Sequence, residues 1–165
     1  MRLTSYTNYS LRILMYCALY PGRLVTIPEI AGAFGISRAH LLKSARQLGQ
    51  LGYLRTVRGR NGGIALAVAP ADISVGAAVR ALEETGEFVE CFNPARNRCR
   101  IAGTCRLTGL LQRALEAFYR ELDASSLADL VAEDAALRNR LALLDVTAAT
   151  QGGPSDPPSK EGSLP

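Results

Sequence analysis

At 165 residues with 48% apolar side chains, the chain suits one compact domain, or a small domain plus an appendage, and is too apolar to be disordered throughout. No apolar run reaches the roughly 18 residues that span a bilayer, and the N-terminus lacks the basic and apolar regions of a signal peptide, so the expected setting is cytoplasmic, without a membrane. The net charge of +4 conceals a split: residues 1–65 carry nine Arg or Lys against Glu29 alone, a net of +8, while the other hundred carry ten basic and fourteen acidic side chains, a net of −4. A basic end of this kind attracts phosphate through Coulomb steering and counterion release.

In chain order, Thr4–Leu19 is predicted helical, because Tyr6, Tyr9, Ile13, Tyr16 and Tyr20 recur at three and four residues and Pro21-Gly22 ends the run. Cys17 falls in this stretch as a core residue. Thr26-Ile27-Pro28-Glu29 has the form of a capping box, which predicts a short helix through Ile30, Ala31 and Phe34, broken at Gly35. Ser37 is placed to cap a helix from Arg38 to about Gln50, with Leu41, Leu42, Ala45 and Leu48 as its apolar face. Two short helices about a glycine turn form a helix-turn-helix. Tyr53–Val57 and Ile64–Val68 are β-prone, and the glycines and Asn of Arg58-Gly59-Arg60-Asn61-Gly62-Gly63 between them predict a two-stranded wing. Ser74 caps a further helix through Val75, Val79 and Leu82, ending near Gly86.

Residues 87–105 hold three of the four cysteines and lack periodicity, so a loop is expected. A strong helix follows, whose stripe of Leu107, Leu110, Leu111, Ala114, Phe118 and Leu122 faces either the winged domain or a second subunit. A last helix, Leu127–Leu144, starts at a Ser126-x-x-Asp129 cap. From about Val146 the Pro-, Gly- and Ser-rich sequence predicts a disordered tail, residues 146–165. The expected fold is mainly α with a small β wing, in four regions: a winged helix-turn-helix over 1–86, the cysteine loop 87–105, the long helix and C-terminal helix over 106–145, and the tail.

Two constellations carry chemistry. The N-terminal part of a helix in the major groove approaches base edges, which singles out Ser37, Arg38 and His40, with Lys43 and Arg46 further along; Arg38 can bond guanine bidentately. Arg58 and Arg60 on a thin glycine turn suit a narrow minor groove. The second constellation is Cys91, Cys99 and Cys105, spaced C-x7-C-x5-C. Zinc sites ordinarily use shorter C-x2-4-C pairs, and His40, the only His, lies in the predicted reading helix. Thiolates at wider spacing suit an iron–sulfur core, and Arg96, Arg98, Arg100 and Arg106 offset its negative charge. A thiol–disulfide switch and inert cysteines are the competing readings. No phosphate-binding Gly-rich loop followed by Lys and no Ser/His/Asp set points to an enzyme.

The segments MRLTSYTNYSLRILMY, VRGRNGGI and VECFNPARNRCRIAGTCRLTG together resemble the Rrf2 family of bacterial transcription regulators, and LTGLLQRALEAFYRELDASSLADL is similar to its nitric-oxide-sensing repressors; the resemblance covers about residues 1–133. It implies a homodimer with crossed long helices, so that the long helix serves dimerisation. It implies one cluster per subunit on Cys91, Cys99 and Cys105, and repression lost when nitric oxide attacks the cluster. It assigns DNA contact to the helix from Ser37 and to Arg58, Arg60 and Asn61 of the wing.

One position departs: Asn8 stands where those repressors often carry an Asp that serves as fourth ligand from the partner. The amide, with the same Cys spacing, also resembles the family's iron-responsive rhizobial regulators. A further branch with a His shortly after the third Cys is a poorer match, since Arg106, Leu107 and Thr108 follow Cys105. The leading expectation is therefore a repressor that binds an inverted-repeat duplex operator and senses nitric oxide through a [4Fe–4S] cluster, with [2Fe–2S] as the other cluster type. An iron-responsive cluster-dependent repressor and a metal-free thiol redox sensor are the alternatives. An electron-transfer cluster carrier fits poorly with the +8 half.

Overall fold

The computed structural model describes residues 3–83, 88–132, 136–137 and 139–141; the expected tail over 146–165 lies outside them. Helix α1 (Ser5–Leu19) is the central element, capped by Thr4, whose hydroxyl accepts from the Thr7 amide. It buries Thr7, Ser10, Ile13, Leu14, Tyr16, Cys17, Ala18 and Leu19. After a turn at Gly22, α2 (Ile27–Phe34) begins with the expected capping box: the Glu29 amide donates to Thr26 Oγ1 at 3.3 Å and the Thr26 amide to Glu29 Oε2 at 3.3 Å. Glu29 does more than cap. Tyr16 donates to it at 2.9 Å and Arg23 forms an ion pair with it. Burial pushes its carboxyl up, but Arg23, Tyr16 and the Thr26 amide together bring it below its ordinary value. Gly35, at φ 62°, closes α2 in the left-handed region.

Helix α3 (Arg38–Gln50) lies across α1 and leads into β1 (Leu54–Val57), which pairs antiparallel with β2 (Gly63–Leu66) in the register Leu54↔Leu66 to Val57↔Gly63. The strands are shorter at their outer ends than the sequence suggests: Ala67 makes one last bond to the Tyr53 carbonyl, and Val68 is 43% exposed. Val25 bridges Ile64 with paired bonds of 2.9 and 2.8 Å, fixing the wing to the chain ahead of α2. This join needs glycine: a Cβ on Gly63 would lie 2.6 Å from the Val25 carbonyl oxygen. The architecture is a mainly helical winged helix-turn-helix with a two-stranded sheet.

Helix α4 (Val75–Glu83) starts at Ser74, whose Oγ accepts from the Ala77 amide at 3.2 Å. The long helix α5 (Arg106–Asp123) then runs about 27 Å. At its C-terminal end it is tied to α4: Asp123 takes two bonds from Arg80 and one from Ser74 Oγ, and the Arg80 guanidinium lies 4.4 Å from the Tyr119 ring centre. The chain returns to the core through Val75 N–H to Ser125 O and Leu127 N–H to Ile73 O. Helix α6 (Leu127–Val131) carries the expected Ser126/Asp129 capping box but does not continue to Leu144, since Ala132 is extended at ψ 132°. The described residues are helical again at 136–137 and 139–141. Periodicity misses this break because Leu127 and Leu141, both in the core, are close to four helical turns apart. Among the described residues no helix is long and apolar enough to cross a membrane.

Candidate nucleic-acid interface and cysteine site

Four residues turn α3 onto the core: Leu41, Ser44, Ala45 and Leu48. This corrects the sequence reading, which puts Leu42 on the apolar face. The hydroxyl of Ser44 is buried without a partner, while Leu42 is 57% exposed. Steps of 100° per residue carry the outer face through Arg38, Ala39, Leu42, Lys43 and Arg46, all exposed. Ser37 stands at the N-cap, exposed, but its hydroxyl makes no capping bond.

Two of the expected readers lean on α1. The His40 ring lies 5.9 Å from that of Tyr9, and Lys43 Nζ lies 5.7 Å from the Tyr6 ring centre, with Tyr6 OH donating to the Lys43 carbonyl at 3.1 Å. Tyr6 and Tyr9 thus brace one flank of α3, a role that their three-residue spacing on α1 alone does not reveal. Arg38 and Arg46 form no ion pair among the described residues. On the wing Arg58, Arg60 and Asn61 are all exposed around Gly59 at φ 118°, and no carboxylate pairs with the two arginines among the described residues. The face formed by α3 and the wing is therefore cationic, and among the described residues no carboxylate neutralises it.

The three clustered cysteines lie at the other end of α5. Cys91 is within a 3-10 turn, Glu90–Phe92, flanked by the stacked rings of Phe88 and Phe92. The Cys99 amide donates to Asn97 Oδ1 at 2.9 Å, and Cys105 is the N-cap of α5. All three are free and half-buried. Thr108, in the first turn of α5, joins two of them. Its hydroxyl donates to Cys91 Sγ at 3.6 Å, and its backbone N–H, then its hydroxyl, then the Leu107 N–H hold the Cys105 thiol below its ordinary value. Thr108 was not singled out from sequence; its place three residues after Cys105, on the first helical turn, was the available signal. Among the described residues no three His, Cys, Asp or Glu side chains gather into a set that holds a single metal ion. The donors nevertheless fit an iron–sulfur group in kind: three free thiols, widely set, half-buried, with exposed Arg96, Arg98, Arg100 and Arg106 about them. Cys17 differs from them. Burial first, then Glu29, pushes its thiol up to about 12, and it belongs to the core.

Asn8 is exposed on α1, one turn after Thr4. That cap is itself held by α4, since Thr4 N–H and Oγ1 both donate to Glu83 Oε1, at 2.7 and 2.9 Å.

The sequence profile of the Rrf2 family, described as iron-dependent transcriptional regulators, matches residues 3–133. The HTH-type transcriptional regulator NsrR of Geobacillus kaustophilus is 51% identical over 142 residues, covering 86% of this chain and 97% of the relative. The regulator of the same name from Bacillus subtilis is 47% identical over 132 residues, covering 79% and 90%. In three dimensions the chain is similar to the oxidized form of Staphylococcus aureus CymR, with a TM-score of 0.64 at 27% identity over 80% of this chain and 97% of that one.

Proposed function

This chain belongs to the Rrf2 family and is a DNA-binding transcriptional regulator, not an enzyme; from that premise we propose that it is a homodimeric repressor whose hold on an inverted-repeat operator depends on an iron–sulfur cluster borne by Cys91, Cys99 and Cys105, with nitric oxide as the signal. The observation that carries the proposal is the conjunction of a cationic face on α3 and the wing, without an ion pair among the described residues, with free, half-buried thiols at the root of α5.

The protein residues have separable roles. Ser37 and Arg38 enter the major groove at base edges, Lys43 and Arg46 hold phosphate, and His40 stands at the flank on Tyr9. Arg58, Arg60 and Asn61 enter the adjacent minor groove. The half-sites lie about one helical turn apart, roughly 10 base pairs centre to centre. Cys91, Cys99 and Cys105 hold the cluster, whose iron supplies the reactivity toward nitric oxide. Thr108 orients Cys91. The Asp123–Arg80 tie joins α5 to the DNA-binding unit, a path by which a change at the cysteine end would shift the spacing of two reading heads. A second reading, iron status as the signal, is favoured by Asn8, because an amide ligates iron more weakly than a carboxylate.

Protein isolated without oxygen is expected to be brown and to contain iron and acid-labile sulfide. Cys91→Ala, Cys99→Ala and Cys105→Ala each lose them, and Cys17→Ala does not. Nitric oxide releases the operator. A colourless protein with stoichiometric zinc would overturn the cluster, and release by iron chelation with indifference to nitric oxide would replace the signal. Unchanged operator affinity in both Arg38→Ala and Arg60→Ala would overturn the reading surface.

A further inference from the structure

Among the described residues of the DNA-binding half, Leu42 is the most exposed large apolar side chain, at 57%. It lies on the outer face of α3, one turn after Arg38, one turn before Arg46 and three residues after the exposed Ala39. A leucine on a surface needs no explanation by itself. This one lies amid three exposed cations on its own helix, Arg38, Lys43 and Arg46, with no acidic residue on that helix. An apolar strip flanked by positive charge is a poor complement to a protein core and a good one to the major groove, where phosphates line the edges and thymine alone presents a methyl group.

We propose that Leu42, with Ala39 beside it, packs on a thymine methyl in each half-site and so sets the operator's preference for thymine at that position. Leucine has neither donor nor acceptor. Opposite a cytosine it covers the exocyclic amino group without a partner, which adds rejection to the attraction. Arg38 reads polar edges and Leu42 reads the methyl, so neighbouring positions on one helix face divide the chemistry of the groove. The inference rests on the operator reading given above.

The test uses the full chain, isolated without oxygen, and a duplex that it selects from a randomised library. Each thymine of the half-sites is replaced in turn by deoxyuridine, which lacks the methyl and keeps the pairing. At one thymine per half-site the wild type should lose about fourfold in affinity for each methyl removed. Leu42→Ala should bind the thymine and uracil duplexes alike at that position, and Leu42→Met should restore the preference. Because Leu42 is exposed, both variants should match the wild type in circular dichroism and melting. Indifference of the wild type to every replacement, or full thymine preference in Leu42→Ala, overturns the role of Leu42 while leaving the operator reading intact. A selection that returns no common sequence takes down both.

Discussion

Helices α1 and α5 are 15 and 18 residues long, yet α1 buries eight of its residues and α5, the strongly amphipathic one, buries none. The difference lies in what surrounds them. Helix α1 is enclosed by α3, α4, α6 and β2, whereas α5 is held along one flank by α4 and by a 3-10 turn. On α5, Leu107 and Leu110 are 56% and 55% exposed, and Leu111, Ala114, Phe118 and Leu122 continue the stripe. An apolar stripe therefore states that a partner is needed without stating which. For α1 the partner is the same chain; for α5 the proposed dimer supplies it. The largest expected effect breaks this contrast directly. Leu110→Glu should leave the subunit folded and dissociate the dimer. A two-fold interface loses two leucines at about 1.5–3 kcal/mol each, so dimer affinity falls on the order of a thousandfold before the charge is considered. Sedimentation of Leu110→Glu as an unchanged dimer would show that the stripe serves something else.

The cysteines draw the same contrast with one residue type. The Cys17 thiol on α1 is pushed from 9.0 up to about 12, first by burial and then by Glu29, while Cys91, Cys99 and Cys105 are half-buried. At pH 8 that shift lowers the thiolate fraction of Cys17 about a thousandfold relative to the unfolded chain. In cluster-free protein, Cys17 should therefore alkylate about a thousandfold more slowly than in urea, with the other three much closer to their unfolded rates. The folded pKa is the higher one, so this burial favours folding fully below pH 9 and the contribution fades as pH rises toward 12. Mass-spectrometric labelling that finds Cys17 as reactive as the others would mean that α1 is not enclosed.

What sequence conveyed divides along the same line. The Thr26/Glu29 and Ser126/Asp129 boxes, the stop at Gly35 and the glycine wing are local devices, and local chemistry determines them. The face of α3 is not local. Leu42 and Ser44 are two residues apart, and only the position of α1 decides that the serine goes in and the leucine out. The break at Ala132 was hidden by a matching period on either side of it. Of the candidate site, the sequence names candidate residues but not their arrangement: Thr108 beside Cys91, Tyr6 and Tyr9 behind α3, and the clasp of Thr4 on Glu83 all join distant parts of the chain.

The clasp between α4 and α5 supplies a smaller test. Glycine in a helix ordinarily invites replacement by alanine, which is about 1 kcal/mol better in intrinsic propensity. At Gly76, however, a Cβ would lie 2.1 Å from Asp123 Oδ1 and 2.9 Å from the Asp123 backbone nitrogen. The side chain could turn away; the backbone cannot without moving the end of α5. Gly76→Ala should therefore destabilise, by about 1–3 kcal/mol, with a lower Tm. A raised Tm would mean that α5 is not seated on the start of α4, and that the proposed coupling of cysteines to reading heads lacks its fastening.

The smallest effect sharpens the orientation of α3, on which both the operator surface and the role of Leu42 depend. Ser44 is fully buried, and its hydroxyl has no partner, as is also true of Ser10 on the helix that α3 packs against. Replacing a buried unpaired hydroxyl by a methyl group removes a desolvation cost and gains slightly in helix propensity. Ser44→Ala is expected to stabilise by about 0.5–1 kcal/mol, a rise of a few degrees in Tm. Leu42→Ala, on the exposed face, should leave Tm within the scatter of ordinary surface changes. The opposite orientation, with Leu42 inward, makes the reverse demand: Ser44→Ala would be neutral, and Leu42→Ala would cost about 2–5 kcal/mol as a buried leucine does. The two melting curves together fix which side of α3 faces the groove, and a destabilised Leu42→Ala would turn Arg38 and Arg46 away from the DNA with it.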